Sequence, residues 1–202
     1  MTRKSLLLGS ILLCSSPGSR AEEQASFRED QWDELRRGEI VVLDERPDDG
    51  EDRDGRFVTC AALIEAPRRE VWEVVNDKEH AADFVDGVLE SRVLERTDDR
   101  ILVEQATKVG GPKEFYRYRL RHRLHPIDRA DFSYAGGDLK DVEGSWWFFE
   151  GKEPETCLLV YSLRIDAGFF APGFVVRPGM RKSMPGTLRS IRKEVLRRQA
   201  GD

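Results

Sequence analysis

The sequence predicts an α+β fold, a curved antiparallel sheet closed by a long C-terminal helix. Three observations predict it. Between residues 57 and 165 about six segments of strand character follow one another, the late ones joined by hairpin-length turns, so neighbours pair antiparallel. Within them, Phe115 to Leu124 alternates: Tyr116, Tyr118, Leu120, His122 and Leu124 share one face, and Arg117, Arg119, Arg121 and Arg123 the other. One dry and one wet face is the habit of an antiparallel sheet. Finally, Met180, Met184, Leu188, Ile191 and Val195 recur at helical spacing near the C-terminus and form one apolar stripe. A late amphipathic helix after a run of strands needs a sheet to bury that stripe against.

The elements follow in order. Thr2-Arg3-Lys4 is a short basic region, Ser5 to Cys14 an apolar run, and Ser19-Arg20-Ala21 a small-residue end, which together read as a signal peptide over residues 1–21 cleaved near Ala21. Lipidation of Cys14 is disfavoured by the bulky Leu13 before it. Residues 22–54 form an N-terminal extension. Its first part, 22–38, reads as a short exposed helix or a tail stopped by Gly38, Ile40 to Leu43 as a short strand, and 44–56 as a charged loop. Phe57 to Ile64 is the first long strand. Pro67 opens a helix carrying Val71, Trp72, Val74 and Val75, which Asn76-Asp77-Lys78 ends, and 79–87 make a second short helix or turn. Strands follow over Val88–Glu95, Ile101–Val109, Phe115–Leu124, Asp131–Ala135, Val142–Glu150 and Thr156–Ile165. Pro178 and Pro185 interrupt the last helical pattern, which predicts a kinked or two-piece helix.

Composition narrows the function. The chain has 202 residues, 39% hydrophobic and 35% charged, enough for one domain with a full core. Residues 1–21 carry three basic residues and no acid, so cleavage takes the net charge from −5 to −8. That acidity argues against nucleic acid as a partner. The basic residues nevertheless gather locally: Val175 to Arg198 holds eight against one acid, Glu194. Such a run is either a solvated helix face or a face that docks on anionic lipid head groups, with Arg181, Lys182, Arg189 and Lys193 as the docking candidates. Cys60 and Cys157 sit in apolar strand patterns and stand either as one disulfide or as two buried thiols. No metal-ligand cluster, cofactor motif, phosphate loop or nucleophile–base pair is present in the sequence.

Three motifs carry a family resemblance. Ala66-Pro67-Arg68-Arg69-Glu70-Val71-Trp72 running to Asp77 is the first. Gly144-Ser145-Trp146, followed by Thr156 and Tyr161, is the second. Ala171-Pro172-Gly173 leading to Met184-Pro185-Gly186-Thr187-Leu188 is the third. Over residues 55–199 the chain resembles the START-like (SRPBCC) superfamily, the polyketide cyclase/dehydrase and lipid transport group, with the coenzyme Q-binding protein subgroup as its nearest flavour. The resemblance implies a helix-grip fold: a seven-stranded curved sheet around the C-terminal helix, with an elongated apolar cavity between them.

Alternation nominates the cavity wall. Gln105, Thr107, Tyr116, Tyr118 and His122 face inward, joined by Ser145, Trp147 and Phe149, then Leu159, Tyr161 and Leu163, while Trp146 and Phe148 compete for the same wall. Met180, Met184 and Leu188 face them from the helix. Apolar walls with a few polar groups are the usual make-up of a small-molecule site. His122 is the one acid/base candidate inside the sheet, and no acid is evident beside it. The leading expectation is therefore an exported domain, periplasmic or secreted, that binds a hydrophobic small molecule or lipid (isoprenoid, sterol-like or acyl) and contacts an anionic membrane transiently. The alternatives are a cyclase or dehydratase acting through His122 or Tyr118, and a ligand-free interaction domain.

Overall fold

The computed structural model describes residues 27–43, 57–108, 114–168 and 173–201. The expected signal peptide with Cys14, the charged loop 44–56, the Gly110-Gly111-Pro112 turn and Ala171-Pro172 lie outside these residues. The elements are α1 (Glu29–Arg36), β1 (Val41–Leu43), β2 (Val58–Ile64), α2 (Arg68–Val75), α3 (Ala81–Phe84), β3 (Val88–Arg96), β4 (Arg100–Thr107), β5 (Tyr116–His125), β6 (Arg129–Gly137), β7 (Asp141–Glu150), β8 (Cys157–Asp166) and α4 (Gly173–Gln199). The strands form one antiparallel sheet of eight, in the order β1-β2-β8-β7-β6-β5-β4-β3. The resemblance implied seven; the eighth is the short β1, which pairs Val41 with Ala61 on the outer edge of β2.

The sheet bends where its ladder slips. Register shifts interrupt β3–β4 at Val88/Glu90 and Val93/Glu95, and β5–β6 at Arg119/Leu120. Gly136 and Gly137 supply the positive φ angles at the last of these, and a methyl at Gly137 would run into the Arg117 carbonyl and the Tyr118 backbone. An extra residue in one strand of a pair bends that strand and increases its twist. The bent sheet wraps α4, whose Met180, Met184, Leu188, Ile191 and Val195 are all buried in the main core. α4 is a single helix rather than two pieces, and it runs through both Pro178 and Pro185.

Gly144 shows why one motif is invested in packing. It lies opposite Phe132 on β6 and Leu163 on β8. A methyl there would overlap the Phe132 ring and the Ser162 carbonyl oxygen. The missing side chain leaves room for the Phe132 ring beside β7.

The other face of the sheet corrects one expectation. α1 is not an exposed helix or tail: its Trp32 and Leu35, with Phe27 just before it, are buried with Ala61, Leu158, Val160 and Phe149 in a second core. Lys152 places its ammonium 4.3 Å from the Trp32 ring centroid, a favourable cation–π contact. β2 and β8 are apolar on both faces because both faces are covered, one by α4 and one by α1. Farther along the same outer face the arginine row of β5 meets acids on its neighbours. Arg117 pairs with Glu90 at 2.7 Å and Arg119 with Glu104 at 3.0 Å, an ion-pair ladder on a solvated surface.

Cys60 and Cys157 are buried free thiols. Cys60 pairs in register with Tyr161 and Cys157 with Ile64, so they stand four residues apart along neighbouring strands, roughly 13 Å. A disulfide requires Cα atoms within about 7 Å. Burial pushes both thiols up to about 12, so neither is a reactive thiolate near neutral pH.

Candidate ligand cavity

A cavity of about 160 Å³ lies between the inner face of the sheet and the helices α2, α3 and α4. Its floor is aromatic. The Trp146 and Tyr161 rings stack with centroids 3.8 Å apart, Phe132 leans on Tyr161 at 6.3 Å, and His122 leans on Phe132 at 5.6 Å. These contacts follow from register, since Trp146 pairs with Tyr161 and His122 with Phe132. Met180, Met184 and Ile191 form the roof, and Val74 and Val75 of α2 close one side. Asp86, Gly87, Lys108, Ser183 and Thr187 also line the cavity, with Lys108 and Ser183 exposed. These residues form its mouth, between the start of β3 and α4.

Of the expected wall, Gln105, Thr107, Tyr118, His122, Tyr161, Met180 and Met184 line the cavity. Tyr116 and Leu188 do not. Both are buried in the surrounding core, one residue pair or one helical turn away from the opening. Trp147 faces away altogether. It packs beside the second core, 6.1 Å from Phe149, with the Arg129 guanidinium 4.1 Å above its ring. The inward parity of β7 belongs to Val142, Gly144, Trp146 and Phe148, which moves Ser145 and Phe149 outward with Trp147. Two consecutive aromatic pairs gave both parities equal apolar weight, and the choice between them rested on whether the outer face was covered. Arg181, Lys182, Arg189 and Lys193 are exposed on α4.

The polar groups of the cavity centre on β4, β5 and the segment after α2. Thr107 Oγ1 donates to the Tyr118 hydroxyl at 3.1 Å. Burial raises the Tyr118 phenol and raises that of Tyr161 far more. His122 is only 3% exposed, and both its ring nitrogens lack a hydrogen-bond partner among the described residues. Burial, reinforced by the neighbouring Lys78 charge, holds it well below the usual imidazole range, so it is neutral at physiological pH.

Lys78 is the residue that sequence reasoning missed. It reads as a charged residue ending a helix, yet it lines the cavity and is 6% exposed. Its placement is enforced from several sides. Asn76 caps α2 by donating from Nδ2 to the Trp72 carbonyl at 3.0 Å. Asp77 is held outward by Arg198 at 2.7 Å and His80 at 2.8 Å. The Lys78 carbonyl accepts from Ser91 Oγ at 2.5 Å, and that oxygen accepts from Gln105 Nε2 at 3.2 Å. With its neighbours fixed, the Lys78 side chain turns inward, and Nζ donates to the Val75 carbonyl at 2.6 Å. Burial, then the Arg96 charge, lowers its pKa to about 7. No local pattern marks this lysine, because what buries it is distant in sequence: Ser91 on β3 at its backbone and the cavity lining from β4, β5 and α4.

Among the described residues, no group of three His, Cys, Asp or Glu side chains is placed to hold a metal ion, and no helix is long and apolar enough to cross a membrane. The family model described as polyketide cyclase/dehydrase and lipid transport matches residues 64–192. No curated protein matches the sequence. Among solved structures, the chain is similar to the Zhui aromatase/cyclase of a Streptomyces species at TM-score 0.63 and 20% identity, over 71% of this chain and 95% of that one. It is similar to the STAR-related lipid transfer protein of Xanthomonas axonopodis at TM-score 0.63 and 12% identity, over 77% and 98%. It is also similar to a START superfamily protein of Mycobacterium smegmatis at TM-score 0.61 and 12% identity, over 70% and 97%. At these identities the likeness is one of fold.

Proposed function

The chain belongs to the polyketide cyclase/dehydrase and lipid transport family, and from that premise we propose that it is a binding protein for a hydrophobic small molecule or lipid, held between sheet and C-terminal helix. The observation that carries this reading is the cavity itself: about 160 Å³, walled by Phe132, Trp146, Tyr161, Met180 and Met184, with a mouth at the start of β3. A dry engineered cavity of about 150 Å³ suffices to bind benzene, so the space takes an aromatic ring or a short acyl segment, with longer parts leaving through the mouth. Burial of such a group stabilises a complex by roughly 25 cal/mol per Å² of apolar surface.

The surroundings of the mouth support loading at a membrane. Val88, Thr107 and Tyr116 lie side by side across β3, β4 and β5. Next to Val88 in sequence, Leu89 is an exposed large hydrophobic, whereas Phe115 lies on the outer face with Arg117 and Arg119. Arg181 and Lys182 precede Ser183 at the rim. An exposed apolar side chain and basic residues around one opening are what an anionic bilayer surface receives. In this account the N-terminal segment ending near Ala21 exports the protein, and the carrier works outside the cytoplasm. The carrier reading is favoured over cyclase-type catalysis by the apolar make-up of the walls, with Lys78 and His122 gathered at one polar end where they can hold a ligand's head group.

The test is a titration with Nile red, an apolar dye whose fluorescence rises on leaving water. Wild-type protein is expected to give a saturable, one-site increase. Thr187→Trp, which places an indole across the mouth, is expected to abolish it while the melting temperature stays put. Equal dye binding in both proteins would refute the cavity as the site.

A further inference from the structure

We propose that the cavity selects apolar molecules bearing a single carboxylate, which Lys78 and His122 hold at its polar end. The inference rests on the cavity reading above and deepens it.

Lys78 brings an amine into an apolar enclosure with no ion-pair partner among the described residues. Its three potential donors have one described acceptor, the Val75 carbonyl. The nearest carboxylate in sequence, Asp77, is occupied by Arg198 and His80. Asp86, at the mouth, is the one carboxylate among the described lining residues. His122 adds a second unmet demand: two ring nitrogens, both buried, neither with a partner among the described residues. Buried polar groups in folded proteins are nearly always hydrogen-bonded, and an exception calls for an explanation. A ligand with two acceptor oxygens on one carbon answers both at once. One oxygen accepts from Lys78 Nζ, the other from the N–H of neutral His122.

The electrostatics favour an anion over an alcohol or an amine. Arg96 on β3 adds positive potential at Lys78, while Asp77 opposes it from behind. From β5 and β8 the cavity presents the neutral His122, Tyr118 and Tyr161. Lys108 and Asp86, of opposite charge, both stand at the mouth. In this setting Lys78 sits near half-protonation at neutral pH, so an arriving carboxylate draws the proton onto it and forms a charge-assisted hydrogen bond. A cationic head group would meet the Lys78 charge in low dielectric.

The experiment compares sodium octanoate with 1-octanol, matched in chain length, by calorimetric titration at pH 6.5. Hydrogen bonds to charged groups are worth enough to set the expected ratio: octanoate should bind on the order of 10- to 100-fold more tightly than octanol. Lys78→Met, whose side chain keeps much of the stem but carries no amine, should bring that ratio to near one. The wild-type measurement stands without the variant, since equal affinities for acid and alcohol overturn the proposal even if the variant misfolds. A folded variant that keeps the preference overturns it too, because the acid is then read elsewhere. Failure of both probes to bind at all would strike the cavity reading itself.

Discussion

Lys78 makes the stability of the protein depend on pH in a direction opposite to that of an ion-paired lysine. Its folded-state pKa lies at about 7 against an ordinary 10.5. Where both folded and unfolded chains are protonated, below about pH 7, the fold carries the full cost of a charge in an apolar enclosure. The gap corresponds to on the order of 5 kcal/mol. As pH rises from 7 toward 10.5, the unfolded chain holds a proton that the folded chain has released, so stability rises with pH across that window. Between pH 6 and pH 9 the linkage amounts to about 2.5 kcal/mol. Lys78→Met removes the titrating group. The lost Nζ contact to the Val75 carbonyl costs the same at every pH in this range and leaves the slope alone. Urea unfolding of both proteins at pH 6, 7.5 and 9 is the assay. The stability difference, variant minus wild type, should favour the variant most at pH 6 and shrink by about 2.5 kcal/mol by pH 9. A difference that is flat across the series would show that Lys78 is solvated or ion-paired, and would refute the reasoning.

Three further outcomes are expected. Gly144→Ala should destabilise the fold by about 1–3 kcal/mol in urea unfolding, since the Ser162 carbonyl and the Phe132 ring leave no room for a methyl; a neutral effect would mean the β6–β7–β8 packing is looser than described. Trp146→Ala should reduce Nile red affinity, whereas Trp147→Ala should leave it unchanged, because only the first ring lines the cavity; the reverse pattern would put the ligand on the other face of the sheet. Converting Arg181, Lys182, Arg189 and Lys193 to Glu should reduce co-sedimentation with phosphatidylglycerol vesicles to the level seen with neutral vesicles, an effect that salt should mimic; unchanged binding would remove membrane docking from the account.

The contrast between what the sequence disclosed and what it hid follows the range of the interactions involved. Alternation along β5 and the helical stripe of α4 are one-dimensional patterns with one wet side, so residue spacing alone assigns a face to Tyr118, His122, Met180 and Met184. It cannot do so for Trp147, because β7 has two apolar faces and its parity depends on α1, a helix more than a hundred residues earlier. The apolar runs of β2 and β8 did hold the clue: a strand apolar on both sides is covered on both sides. Applied to Phe57–Ile64, that rule calls for a partner such as Phe27, Trp32 and Leu35 supply. Lys78 lay further out of reach, since its inward turn depends on Arg198, Ser91 and the cap at Asn76 acting together.

The most direct measurement is native mass spectrometry of the protein isolated from its own cells, followed by solvent extraction of whatever it carries. The account predicts one molecule per chain, apolar and acidic, released on denaturation, and lost or exchanged for a non-acid in Lys78→Met. A ligand-free mass, together with no uptake from a total lipid extract, would contradict it.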